Sequence, residues 1–183
     1  MFSKMSSSKE QELNIATFKN GKLCPYLIAD SRLAKRLSGL TQIIIDLDNV
    51  IELINLIDTV ENSEVSYALW MSAVVTYGKC FASAEGRKSK LELEHVKIFN
   101  KEAIDYHKVL ISQRNEYFAH AGNNKYEDLR TCIILSPIED GKKILEISSF
   151  GFKRKSISPD EVKMFNALCN GLLNVVKKIT EDI

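Results

Sequence analysis

The stretch RNEYFAHAG, residues 114–122, places an Arg-Asn pair six positions ahead of a histidine. These residue types suit the cutting of a phosphodiester without a metal. A histidine, with an ordinary pKa of about 6.5, can take a proton from an attacking hydroxyl or return one to a leaving oxygen. An arginine fork is permanently charged and suits the negative charge that gathers on the non-bridging oxygens of the transition state. Asn115 would hydrogen-bond the phosphate or fix the imidazole tautomer. Arg114, Asn115 and His120 are therefore the catalytic candidates. Their spacing is awkward on a straight helix. Six residues rotate it by about 240°, whereas same-face neighbours come at three, four or seven. Either the pair is accidental, or the helix ends between its members, or the site is built across two chains.

Other residues could supply phosphate contacts. Lys79, Arg87, Lys88 and Lys90 flank Gly86, and Tyr77, Tyr117 and Phe118 could stack on bases. The substrate-binding candidates are Lys79, Arg87, Lys88 and Tyr117. His107 shares nearly the same helical face as Arg114, seven residues on. Lys153-Arg154-Lys155 is a further small basic cluster. No metal ligand set is read, because Glu116, Glu127 and Asp128 do not repeat at ligand spacing, and no cofactor is implied. Bland roles exist for the same residues. Arg114 could pair with Glu116, Glu127 or a helix C-terminus, His120 could favour a helix dipole, and the lysines could line a solvated connection.

Helices must position these groups. Leu33, Leu37, Leu40, Ile44, Leu47, Ile51 and Ile54 alternate by four and three, predicting a helix over about 31–60 with Ser31 as N-cap. At 1.5 Å per residue it would be roughly 45 Å long, which suits a bundle or a dimer edge. Residues 64–84 are apolar nearly all round and predict a buried helix with Trp70, Met71, Val74 and Val75 in the core. EGRKSKLELEH is a polar connection. Asn100 caps a third helix that should stop near Gly122, where Gly and two Asn accept left-handed backbone. That puts His120 in the last turn or just beyond it. RTCIILSP and KKILEISSFGF, joined across Asp140-Gly141, predict a hairpin at about 130–151. Ser158, Pro159 and Glu161 then open a final helix with a capping box and the stripe Val162, Phe165, Leu168, Leu172 and Val176. The fold class is mainly α: a four-helix bundle with one β-hairpin before the C-terminal helix. Residues 1–30 read as a partly disordered extension and 31–183 as a single domain.

With 25 basic and 24 acidic side chains in 183 residues, a broad electrostatic grip on nucleic acid is not expected, although a local basic patch is compatible. Cys24, Cys80, Cys132 and Cys169 form no CxxC pair and read as core residues of a reducing compartment. The N-terminus lacks the apolar centre of a signal peptide, and the longest apolar runs are too short and too charged to span a membrane. The expected location is cytoplasmic.

The R-N-x4-H pattern at a helix end resembles the HEPN family (higher eukaryotes and prokaryotes nucleotide-binding domains). Its signature is R-x4-6-H with a polar residue usually following the arginine, a place that Asn115 fills. RNEYFAHAGNNKYED and WMSAVVTYGKCFASAEGRKSKL are also similar to HEPN-like bacterial proteins, so the resemblance covers mainly residues 64–128. It implies a helical bundle that pairs into a homodimer with both motifs at the interface cleft. It further implies a metal-independent endoribonuclease of the toxin or antiviral-defence kind, with RNA or a nucleotide as ligand and, for a toxin, an antitoxin partner. Other members bind nucleotide or RNA without turnover, so a binding module is the alternative, as is a structural dimerisation protein built on the long first helix.

Overall fold

The computed structural model describes residues 17–25, 27–83, 86–118, 127–135, 144–153 and 156–183. The chain divides into two compact units, one ending at Ser31 and one running from Arg32 to Ile183. In the first, strands β1 (Thr17–Lys19) and β2 (Lys22–Cys24) pair antiparallel. Their turn is Asn20-Gly21, with φ of 53° and 73°. Both values are left-handed, as a two-residue type I′ connection demands and as Asn and Gly best tolerate. The expected N-terminal extension thus contains a hairpin. Its first dozen residues lie outside the described ones.

The second unit is mainly helical. Helices α1 (Arg32–Ile57), α2 (Ser63–Phe81), α4 (Lys101–Ser112) and α5 (Pro159–Glu181) surround one core, and a short α3 (Leu93–Lys97) leads into α4. The caps follow the sequence. Asn62 Oδ1 accepts from the Glu64 and Val65 amides, and Asn100 Oδ1 accepts from the Ala103 amide at 2.9 Å. Ser158 and Glu161 form a reciprocal capping box around Pro159. Each satisfies amides that the first helical turn leaves without a partner.

On α1 the buried row is Leu40, Ile43, Leu47, Val50, Ile54 and Ile57. The predicted seam shares Leu40, Leu47 and Ile54 but took Ile44 and Ile51 as their companions; these are only half-buried, and Leu33 and Leu37 are exposed. Both rows alternate by three and four, so periodicity alone leaves open which side of the shared residues turns inward. Similarly α2 is not buried all round. Trp70, Ala73, Val74, Tyr77 and Cys80 face the core, Val75 is half-buried, and Met71 is exposed. The centre of the core is aromatic. Phe165 of α5 meets Trp70 and Tyr77 edge-on at ring separations of 5.4 and 5.3 Å.

Strands β3 (Glu127–Leu135) and β4 (Ile144–Lys153) form an antiparallel hairpin before α5, with a register shift between Ile134 and Leu135. The Asp140-Gly141 turn lies outside the described residues. Among the described residues, no helix is long and apolar enough to cross a membrane.

Candidate functional site

The end of α4 changes pitch. After Ser112 the chain continues as a π-helical turn, Gln113–Phe118, which carries Arg114 and Asn115. Such turns close their hydrogen bonds one residue later than an α-helix, so the 240° rotation of a straight helix does not apply beyond Gln113. Gln113 anchors the turn. It is 1% exposed, and its Oε1 accepts from the indole Nε1 of Trp70 at 3.2 Å. Phe118 closes the turn against Tyr67.

Arg114 lies half-buried across α2. A Cβ at Gly78 would come within 2.8 Å of Arg114 Cγ, so the absent side chain at Gly78 makes room for the arginine stem. Arg114 Nη1 donates to Asn115 Oδ1 at 2.8 Å, which fixes the plane of the guanidinium. Its Nε is buried and has no hydrogen-bond acceptor among the described residues. Among the described residues Arg114 makes no ion pair. Glu116 instead accepts from Ser112 Oγ at 2.9 Å, and Asp128 pairs with Arg130. Half-buried, the guanidinium keeps part of its contact with water, and no carboxylate among the described residues answers its charge. His120 and the Gly122 helix stop lie outside the described residues.

The other candidates part company. Lys79 and Arg87 converge on Asp46 of α1. Arg87 Nη2 pairs with Asp46 Oδ2, and Lys79 Nζ is 3.2 Å from Asp46 Oδ1. Arg87 Nη1 also donates to the Lys79 carbonyl at 3.2 Å. Arg87 and Asp46 are only 12% and 13% exposed, so this pair ties the α2–α3 connection to α1 rather than standing open to a strand. Lys88, next in sequence, is exposed and lines a groove with residues of α1. Tyr117 is half-buried, with its ring 4.9 Å from that of Phe118.

His107 belongs to the core. It is 7% exposed, its Nδ1 lies 2.7 Å from the Tyr77 hydroxyl, and its ring packs 4.5 Å from Phe81. Burial, and secondarily the Lys108 charge, lower its pKa to about 4, so it is neutral at pH 7. Burial also holds the Tyr77 phenol well above its ordinary range. A neutral imidazole and a neutral phenol form a structural hydrogen bond. Of the four cysteines read as core residues, Cys80 and Cys169 are buried, whereas Cys24 is half-buried and Cys132 exposed; burial pushes the Cys80 thiol up to about 12, which makes it unreactive.

Among the described residues no group of His, Cys, Asp and Glu is placed to hold a metal ion. A cavity of about 310 Å³ between α4 and α5, lined by Phe99, Tyr106, Met164 and Leu168 among others, shares no residue with the Arg114 site. Sequence reasoning missed Gly78 and Gln113. Each left a signal: a glycine inside an apolar helix and an uncharged polar residue just before the Arg-Asn pair. Comparison of the chain with family models, curated proteins and solved structures gives no match.

Proposed function

We propose that this chain is a metal-independent endoribonuclease of the HEPN kind, working as a homodimer. The observation that carries the reading is Arg114, a half-buried permanent cation whose one side-chain hydrogen bond among the described residues goes to the neutral Asn115. In this reading its outer nitrogens bind the non-bridging oxygens of the scissile phosphate. The RNA 2′-oxygen attacks phosphorus and gives its proton to a base, the P–O5′ bond breaks, and the departing 5′-oxygen receives a proton from an acid. His120 supplies this proton traffic, with the second copy of the dimer providing the second imidazole. The products are a 2′,3′-cyclic phosphate and a 5′-hydroxyl. A toxin-like role in the cytoplasm, restrained by an antitoxin, completes the proposal.

The test is incubation of RNA with the purified native chain, Arg114→Ala and His120→Ala in the presence of a chelator. Fragments ending in 2′,3′-cyclic phosphate from the native chain alone support the reading. Intact RNA in all three, with RNA binding retained, replaces it with the binding module.

A further inference from the structure

Helix α1 begins against its own dipole. Arg32, Lys35 and Arg36 lie in its opening turns, and its first turn holds no acidic residue, although a helix N-terminus is partially positive and favours Asp and Glu. The spacing by three and four sets these side chains on one face. Lys88 joins them from the α2–α3 connection, and the four cations line a groove of about 430 Å³. The connection is held in place. Ser89 Oγ donates to the Arg36 carbonyl at 3.0 Å, the Leu91 amide donates to the Cys80 carbonyl at 2.7 Å, and Arg87 is pinned to Asp46. Ser89 also sits so close to α1 that a Cβ at Gly39 would approach within 2.9 Å of it. Among the described residues Arg32, Arg36 and Lys88 make no ion pair, while Lys79, Lys90 and Arg87 from the same stretch all do.

We infer that this groove binds closely spaced phosphates, those of a nucleic-acid backbone or of a triphosphate group. Arg32, Arg36 and Lys88, with no ion pair among the described residues, call for several negative charges close together, more than one phosphate brings. Among the described residues the lining is entirely cationic, with no aromatic side chain. The groove therefore reads phosphate and not base, and binding is independent of sequence and steep in salt. The inference does not depend on catalysis by Arg114.

The probe is a fluorescent oligothymidine, which lacks the 2′-hydroxyl and cannot be cut by 2′-oxygen attack, so the nuclease reading can fail without touching this result. Its binding to the full chain is followed by anisotropy across a salt series. Arg32→Gln/Arg36→Gln/Lys88→Gln should weaken binding at least ~10-fold and flatten the log K against log salt slope by about 2, from three lost contacts on a single strand. Lys88→Gln alone should weaken it about 3-fold, and decides the matter if the triple variant melts early. Inorganic triphosphate that displaces the probe identifies a compact polyphosphate as a ligand; its failure to compete identifies the extended backbone. The inference is overturned if the native chain binds neither probe at low salt. It is equally overturned if Lys101→Gln/Lys108→Gln/Lys163→Gln, which removes the same charge from scattered exposed lysines, loses as much affinity.

Discussion

Arg87 is largely withdrawn from water and Arg114 half so, and they meet opposite company. Arg87 pairs with the Asp46 carboxylate and also donates to a backbone carbonyl, so its charge is answered within the chain. Arg114 rests on Gly78 and donates to a neutral amide, with its Nε buried and without an acceptor among the described residues. One arginine serves the fold. The other has no carboxylate partner among the described residues, and the difference separates a structural cation from a candidate for ligand chemistry more sharply than residue type does.

The largest effect expected on stability lies on the Arg87 side. Arg87→Ala leaves Asp46 buried with only Lys79 for company, and should cost about 3 kcal/mol in denaturant unfolding. Arg114→Ala in the same assay should change stability by less than ~0.5 kcal/mol or raise it, because it removes a buried donor that has no acceptor. Equal losses would erase the distinction.

The core beneath the site should also respond to acid. The folded pKa of His107, about 4, lies below the ordinary 6.5. The unfolded chain therefore binds more protons between these values, and stability is full above pH 6.5 and falls as pH drops toward 4. The loss should reach up to about 3 kcal/mol, and thermal melts from pH 7 to pH 4 should show it shrinking in His107→Gln. A slope unaffected by that variant would place the titration elsewhere.

Smaller effects address the turn that carries Arg114. Gln113→Leu leaves the buried Trp70 indole N–H without its acceptor and should cost about 1–2 kcal/mol by denaturant unfolding. Gly78→Ala should change stability least, since the gain in helix propensity, up to about 1 kcal/mol, works against the contact with the Arg114 stem. On the proposed function it should nonetheless slow RNA cleavage about 10-fold by displacing the guanidinium, a separation of stability from rate that a purely structural Arg114 would not produce.

The fold was legible wherever local chemistry decides it. The Asn62, Asn100 and Ser158 caps, the capping box at Glu161, the hairpin before α5 and the mainly helical class all follow from residue types at fixed offsets. What the sequence left open depends on tertiary context. Ile43 and Val50, not Ile44 and Ile51, turn inward on α1 because α2 and α5 lie on that side. The short α3 hid in a polar run, and Asn20-Gly21 marked a hairpin within what read as an extension. At the candidate site, residue type singled out Arg114 and Asn115, but the π turn that carries them sits beside a buried Gln113–Trp70 contact across 43 residues, which no local pattern reveals. Lys79, Arg87 and Lys88 looked equivalent on the chain. Only the position of Asp46 on a different helix separates the two it neutralises from the one that lines a groove.

The central claim is that Arg114 acts on a ligand and not on the fold. Its most direct test measures RNA cleavage and unfolding free energy on the same preparations of the native chain and Arg114→Ala. The expected result is cyclic-phosphate products from the native chain, formed at least ~100-fold faster than by the variant, with stability no lower in the variant. Equal cleavage by the two, or a variant as destabilised as Arg87→Ala, would contradict it.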